Sequence, residues 1–216
     1  GAGTGTWTLR EAVAALLAAA AAKFTAVYED GLGDVVIGNR IGQGTSVREG
    51  LRQCAQAAMC TCYVDRNNAL HFFRPALAAQ VDEWSLDVQH EDAQVKVGQL
   101  YNVVKLVAGD EDTVYYAKNV ATDDLERVYE VSNPCVTAEL GNQVAAWILA
   151  WVQRRVSYEA MVRGNPALDL LDTVQINDVY GVNGEAVVTQ LNYSYDGGLT
   201  CCLLYTSDAA DDMQCV

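Results

Sequence analysis

The chain has 216 residues, 51% of them hydrophobic, enough for one large domain or two small ones with real cores, which excludes a disordered chain. Its 28 acidic side chains outnumber 14 basic ones, and the net charge of -14 repels phosphate backbones and disfavours nucleic-acid binding. No stretch approaches the ~20 unbroken apolar residues that cross a bilayer. The alanine-rich run at 12–22, poor in Leu, Ile and Phe and with no basic segment ahead of it, therefore reads as a helix rather than a span or a signal peptide.

Thr8 with Glu11, and Ser46 with Glu49, fit the capping box in which two side chains satisfy free N–H groups at a helix start. The first helix is expected to bury Leu9, Val13, Leu16, Leu17, Ala20 and Phe24, and the second Val47, Leu51, Cys54, Ala55 and Ala58. Alternation at 60–64 and 69–73 around Asp65, Arg66, Asn67 and Asn68 predicts a β-hairpin, closed by Pro75. Residues 76–94 have weak periodicity and read as a crossing into a second region. That region opens with a hairpin at 100–107 and 113–118, then a short strand at 127–131 ended by Asn133 and Pro134. Thr137 is expected to cap a helix whose buried stripe is Leu140, Val144, Trp147, Ile148 and Trp151. Strands follow at 156–162, 173–179 and 185–195. The tight-turn signal at Asp196, Gly197 and Gly198 sends the chain into one more strand at Leu199. The expected class is α+β, with antiparallel, partly barrel-like sheets and packed amphipathic helices. The expected domains are 1–78 and 79–201.

Chemical motifs are few. GNRIGQGTS at Gly38 precedes a helix start but lacks the Gly-Lys-Ser/Thr ending of a phosphate-binding loop, so it reads as a turn. Cys54, Cys60 and Cys62 with His71 lack the paired C-x2-4-C spacing of zinc sites and read as small buried thiols. A calcium loop starting at Asp65 fails at its twelfth position, Ala76, where a bidentate Glu is required. The histidines are His71 and His90, and no Ser or Cys sits in a recognisable nucleophile turn. Asp110, Glu111, Asp112, Asp123, Asp124 and Glu126 read as a solvated rim, and the sequon at Asn192 falls on a predicted strand. No catalytic, cofactor-binding or metal-binding residue is assigned. Seven cysteines in no regular spacing fit a reducing compartment.

Several blocks from Ser46 onward resemble the tail-tip or baseplate hub proteins of tailed bacteriophages: SVREGLRQCAQAAMCTCYVDRNNALHF at Ser46, YNVVKL at Tyr101, VYEVSNP at Val128, RRVSYEAMVRGNPALDLLDTVQI at Arg154 and VVTQLNYSYDGGLTC at Val187. Within them RGNPALDLLDTV reads as a strand-to-strand corner marked by Arg163, Gly164, Asn165, Pro166, Leu168 and Asp172. Asn165 is held extended before Pro166, Leu168 and Leu170 turn inward, and Asp169 and Asp172 face water. The resemblance implies a non-enzymatic virion subunit forming a ring, commonly a trimer, that joins the tail tube above to fibre or spike proteins below. The negative charge suits a conduit through which DNA passes without sticking. Two other readings are open: a surface carbohydrate-binding module using Trp84, Tyr115, Tyr116 and Tyr180, and the non-catalytic part of a tail-associated hydrolase. Finally, CLLYTSDAAD at Cys202 resembles a translated sequencing adapter. Residues 202–216 are therefore expected to be an artefact of a metagenomic fragment, leaving the last hairpin without its native partner strand after Cys201.

Overall fold

The boxes at Thr8 and Ser46 both start helices, but they close differently. The Thr8 hydroxyl accepts from the Glu11 N–H at 3.3 Å, and the Glu11 carboxylate accepts from the Thr8 N–H at 3.0 Å, so both orphan donors are satisfied ahead of α1 (Leu9–Ala19). The Ser46 hydroxyl accepts from the Glu49 N–H at 3.2 Å ahead of α2 (Val47–Ala57). Here the Glu49 carboxylate turns along the helix to Arg52, at 2.7 and 2.9 Å, and to Gln53 at 3.1 Å. A guanidinium outcompetes a neutral backbone N–H for a carboxylate because the charge-assisted bond is the stronger.

The computed structural model describes residues 5–42, 44–65, 67–74, 82–84, 94–97, 99–109, 113–120, 125–153, 156–170, 172–177 and 183–207. Besides the two helices they form β1 (Thr6–Thr8), β2 (Thr25–Tyr28), β3 (Val36–Gly38), β4 (Thr61–Val64), β5 (Ala69–Phe73), β6 (Asp82–Trp84) and β7 (Gln94–Val97). There follow β8 (Val103–Ala108), β9 (Thr113–Lys118), β10 (Val128–Asn133), α3 (Gly141–Val152), β11 (Val156–Arg163), β12 (Thr173–Asn177), β13 (Asn183–Tyr195) and β14 (Leu199–Ser207). The class is α+β.

The chain divides into two units, each made of two separate stretches: Gly1–Pro75 with Tyr101–Trp151, and Ala76–Leu100 with Val152–Val216. This interleaving differs from consecutive domains at 1–78 and 79–201. The reason lies in a buried seam of the first unit. Asn133, fully buried at the end of β10, donates through Nδ2 to Gln53 O at 3.0 Å and Gln56 Oε1 at 2.9 Å on α2, and accepts from the Cys135 N–H at 2.9 Å. The Gly38 N–H donates to Cys135 O at 2.7 Å, and the Cys54 thiol is hydrogen-bonded to that of Cys135. These bonds tie 101–151 to the N-terminal stretch.

The first unit holds three sheets. β1 and β3 pair antiparallel; β2-β5-β4 has β2 parallel to β5; and β10-β8-β9 has β10 parallel to β8. The hairpins β4-β5 and β8-β9 are antiparallel, as predicted. In the second unit one open sheet runs β6-β12-β13-β14-β11-β7, with β6 parallel to β12 and the other pairs antiparallel. Three of the four sheets are therefore mixed, and in each parallel pair at least one other element intervenes in the chain, which permits a crossover. β6 comes from the segment read only as a crossing, and β7 starts at that segment's last residue, Gln94. Residues 202–207 continue β14 between β11 and β13.

The helix stripes need correction as well. α1 buries Leu9, Ala12, Val13 and Leu17, whereas Ala20 and Phe24 are exposed. α2 buries Gly50, Cys54, Ala55 and Ala57, and leaves Val47 and Leu51 half-buried. A Cβ on Gly50 would lie 2.9 Å from Leu16 Cδ2, so the glycine allows the two helices to approach closely. α3 starts at Gly141 after a turn in which the Thr137 carbonyl accepts from the Leu140 and Gly141 N–H groups at 3.2 and 3.0 Å. Its buried face is Val144, Ala145, Ile148 and Leu149, while Trp147 and Trp151 are half-buried and meet edge to face at 6.1 Å.

Candidate functional site: a clamped corner

The corner begins where β11 ends at Arg163, an exposed residue. The Gly164 N–H donates to Leu199 O at 2.8 Å, and a Cβ at Gly164 would meet Leu199 Cγ at 2.5 Å and Leu199 O at 3.2 Å. Only a residue without a side chain fits this approach unstrained. Asn165 Oδ1 accepts from the Ala167 N–H at 3.0 Å across Pro166, and Asn165 O accepts from the Leu168 N–H at 3.2 Å. These short-range bonds make the turn from the Asn-Pro pair itself. The Asp169 N–H donates to Asp172 Oδ2 at 2.7 Å, and Asp172 O accepts from the Val188 N–H at 3.0 Å on β13.

Between these polar ties Leu168 is 2% exposed and lies in the same unit as the buried Val162, Val174, Ala186, Val187, Val188 and Cys201. Leu170, expected to turn inward with it, is 40% exposed, and half-buried Asp172 serves as an internal acceptor rather than simply facing water. The predicted hairpin turn joins β13 to β14: Gly197 adopts φ of +73°, a conformation glycine takes without strain, and Asp196 N–H donates to Gly198 O at 3.2 Å.

The structure brings the corner and hairpin together through Tyr193, two residues before the β13 strand end. Its hydroxyl donates to Asn165 O at 2.7 Å, with Leu168 O a second acceptor at 3.2 Å. Tyr193 was passed over because an alternating strand shows which face a residue occupies but not which distant carbonyl it reaches.

The other candidate groups are spread out. His71 Nε2 lies 3.1 Å from Asp65 Oδ2, with its ring stacked on Tyr63 at 5.2 Å. The Ala69 N–H, ahead of His71 and Asn67, holds the Asp65 carboxyl below its ordinary value. Glu126 accepts from Lys118 at 2.6 Å. Among the described residues no group of three or more His, Cys, Asp or Glu could hold a metal ion, and no helix is long and apolar enough to cross a membrane. His90, Asp110, Glu111, Asp112, Asp123 and Asp124 lie outside the described residues, as do Tyr180, the Trp84 side chain and 208–216. Tyr115 is half-buried and donates to Ala138 O at 3.3 Å, while its neighbour Tyr116 is exposed on the opposite face of β9.

The thiols give a pH prediction. Burial, ahead of the neighbouring Cys62, pushes Cys60 up to about 12 from an ordinary value of 9.0. Below the ordinary value the thiol is protonated in both folded and unfolded chains. Above it the unfolded chain ionises while the folded one resists, so stability falls as pH rises from about 9 towards about 12. Thermal unfolding across this window should show a declining Tm and a shallower decline in Cys60→Ala; equal slopes in the two proteins would assign the effect to other groups.

No family model matches the sequence, and no curated protein matches it. The fold is nevertheless similar to that of solved tail proteins, two of them from prophages. The tail protein from Neisseria meningitidis MC58 matches with a TM-score of 0.76 at 16% identity, over 95% of this chain and 68% of that one. The 43 kDa tail protein of prophage MuSo2 from Shewanella oneidensis matches with a TM-score of 0.67 at 17% identity, over 93% and 67% of the two chains. The prophage tail protein gp18 from Listeria monocytogenes EGD-e gives 0.61 at 14% identity, over 97% and 68%.

Proposed function

We propose that the chain is a non-enzymatic structural subunit of a phage tail tip or baseplate hub. It works in the virion as part of a ring joining the tail tube to distal fibre or spike proteins. The observation that supports this most is the match of nearly the whole chain, both units included, to a tail protein at a TM-score of 0.76. The clamped corner fits such a role, since it spends its polar groups on holding two strand ends. The net charge of -14 suits a wall of the DNA conduit, which gains from repelling phosphates.

The test is location. In particles carrying an epitope-tagged copy of the chain, immuno-electron microscopy should place the label at the distal end of the tail. Label along the shaft or on the capsid would reject the reading. The hydrolase-associated alternative predicts the same location and separates from it only by a lytic activity of the whole protein.

A further inference from the structure

We propose that the first unit carries both halves of a head-to-tail contact, in which the groove beside β4 of one copy receives the free edge of β9 from a second copy. This deepens the ring reading above and rests on it for its biological role.

On the receiving side β4 is the outer strand of β2-β5-β4. The Asp65 N–H donates to Ala69 O at 2.9 Å, which sets the phase of the antiparallel ladder: Asp65, Tyr63 and Thr61 bond to β5. Bonded and non-bonded residues alternate in such a ladder, so Cys62 and Val64 turn their N–H and C=O groups to the free side. Along that edge runs a groove of about 700 Å³, with Phe24, Val47, Leu51 and Val64 among its walls and Arg48 on its rim. Phe24 and Val64 are exposed large apolar residues, which a monomer gains nothing by displaying beside an unpaired strand edge.

On the donating side β9 is the outer strand of β10-β8-β9. The Asn119 N–H donates to Asn102 O at 2.9 Å, so Ala117, Tyr115 and Thr113 bond to β8, and Val114, Tyr116 and Lys118 turn their backbone groups outward. Val114 and Tyr116 are also exposed large apolar side chains of this strand. Free hydrogen-bonding groups and alternate apolar side chains thus fall on the same residues, which is what strand addition into an apolar groove requires.

Charge points to a second copy as the occupant. Asp110, Glu111 and Asp112 immediately precede β9, and Arg48 makes no ion pair with another described residue. In a chain of net charge -14 most surfaces of two copies repel, so an arginine lining the groove favours a strand that follows three acidic residues in the sequence. The two surfaces differ, so the contact is heterologous and propagates into a ring or an open chain.

The experiment is sedimentation velocity on the full chain over a concentration series. Val64→Pro and Tyr116→Pro each remove an outward N–H without touching a ladder bond inside the sheet, and far-UV circular dichroism checks their folding. Wild type should associate with increasing concentration, and each variant alone should stay monomeric. Their equimolar mixture should form a heterodimer that grows no further, because each variant retains the half that the other has lost. Leu51→Lys and Tyr116→Lys carry the same mixing test if the prolines unfold the protein. A monomeric wild type, a variant that assembles like wild type, or a mixture that stays monomeric overturns the contact. Tail-end labelling together with a monomeric wild type rejects this inference and leaves the structural role standing.

Discussion

Replacing Asn133 by Ala should destabilise the protein by about 4 kcal/mol, measured as a lower urea midpoint with an unchanged slope. The side chain is fully buried and makes three hydrogen bonds, to Gln53 O, Gln56 Oε1 and the Cys135 N–H. Truncation leaves the Cys135 N–H without its bond in a buried place and the two glutamine oxygens without theirs in part-buried ones, and a stranded buried polar group costs about 1–3 kcal/mol. Partial rearrangement of the Gln56 side chain offsets some of this. Asn133→Asp separates the donors from the acceptor. It keeps an acceptor for the Cys135 N–H but points a carboxylate at two oxygens, so its pKa in the folded state must rise. The deficit of Asn133→Asp should therefore grow as pH increases above about 4, where the unfolded carboxyl ionises. A pH-independent deficit, or a cost for Asn133→Ala below about 1 kcal/mol, would show that the seam is held by apolar packing alone.

The same residue shows what the sequence could and could not disclose. VYEVSNP announces a strand at 127–131 ended by Asn133 and Pro134, and the strand runs two residues further, through Asn133. That Asn133 also bonds to α2 has no local signal, because its partners lie 80 and 77 residues away. Elements whose evidence is periodic over several residues were legible: α1, α2, the β4-β5 and β8-β9 hairpins, and β11, β12, β13 and β14 of the second unit. Strands of three or four residues, such as β1, β3, β6 and β7, hold too few alternations to stand out, and they complete sheets begun elsewhere in the chain. Parallel pairing was missed for a related reason, since alternation within a strand carries no information about the direction of its neighbour. At the corner the Asn165-Pro166 pair marked a break in the strand, while the close approach at Gly164 depends on Leu199, which is distant in sequence. The inward Leu168 and the outward Leu170 could not be told apart, because both sit in an irregular stretch without a period.

Both units are closed by the same device, a polar side chain at a strand end that satisfies backbone groups of a segment distant in sequence. Asn133 does this in the first unit and Tyr193 in the second. Asn102, 5% exposed, does it again at the start of β8, donating to Leu125 O at 2.9 Å and accepting from the Arg127 N–H at 2.6 Å. Such ties hold the joined segments in one arrangement, since an unmade buried bond penalises every alternative.

The corresponding experiment in the second unit is Leu168→Ala, expected to cost about 3 kcal/mol through lost burial and the cavity left behind. Leu168 is 2% exposed, and the neighbouring backbone is held by Gly164, Tyr193 and Asp172, so the site has little freedom to collapse. Tyr193→Phe should cost only about 1 kcal/mol, because the Asn165 carbonyl it abandons still accepts from the Leu168 N–H. The two residues share Leu168 O, which makes their effects non-additive: once the plug is gone, the clamp has less to hold. A double-mutant cycle by denaturant unfolding should give a coupling of about 0.5–1 kcal/mol, with the double variant less destabilised than the sum. Hydrogen exchange at the Gly164 and Val188 amides should rise in Leu168→Ala beyond the change in global stability, since both amides donate across the corner. If exchange there follows global unfolding alone and the cycle closes to zero, the plug and the clamp act independently, and the corner is ordinary packing rather than a positioning device.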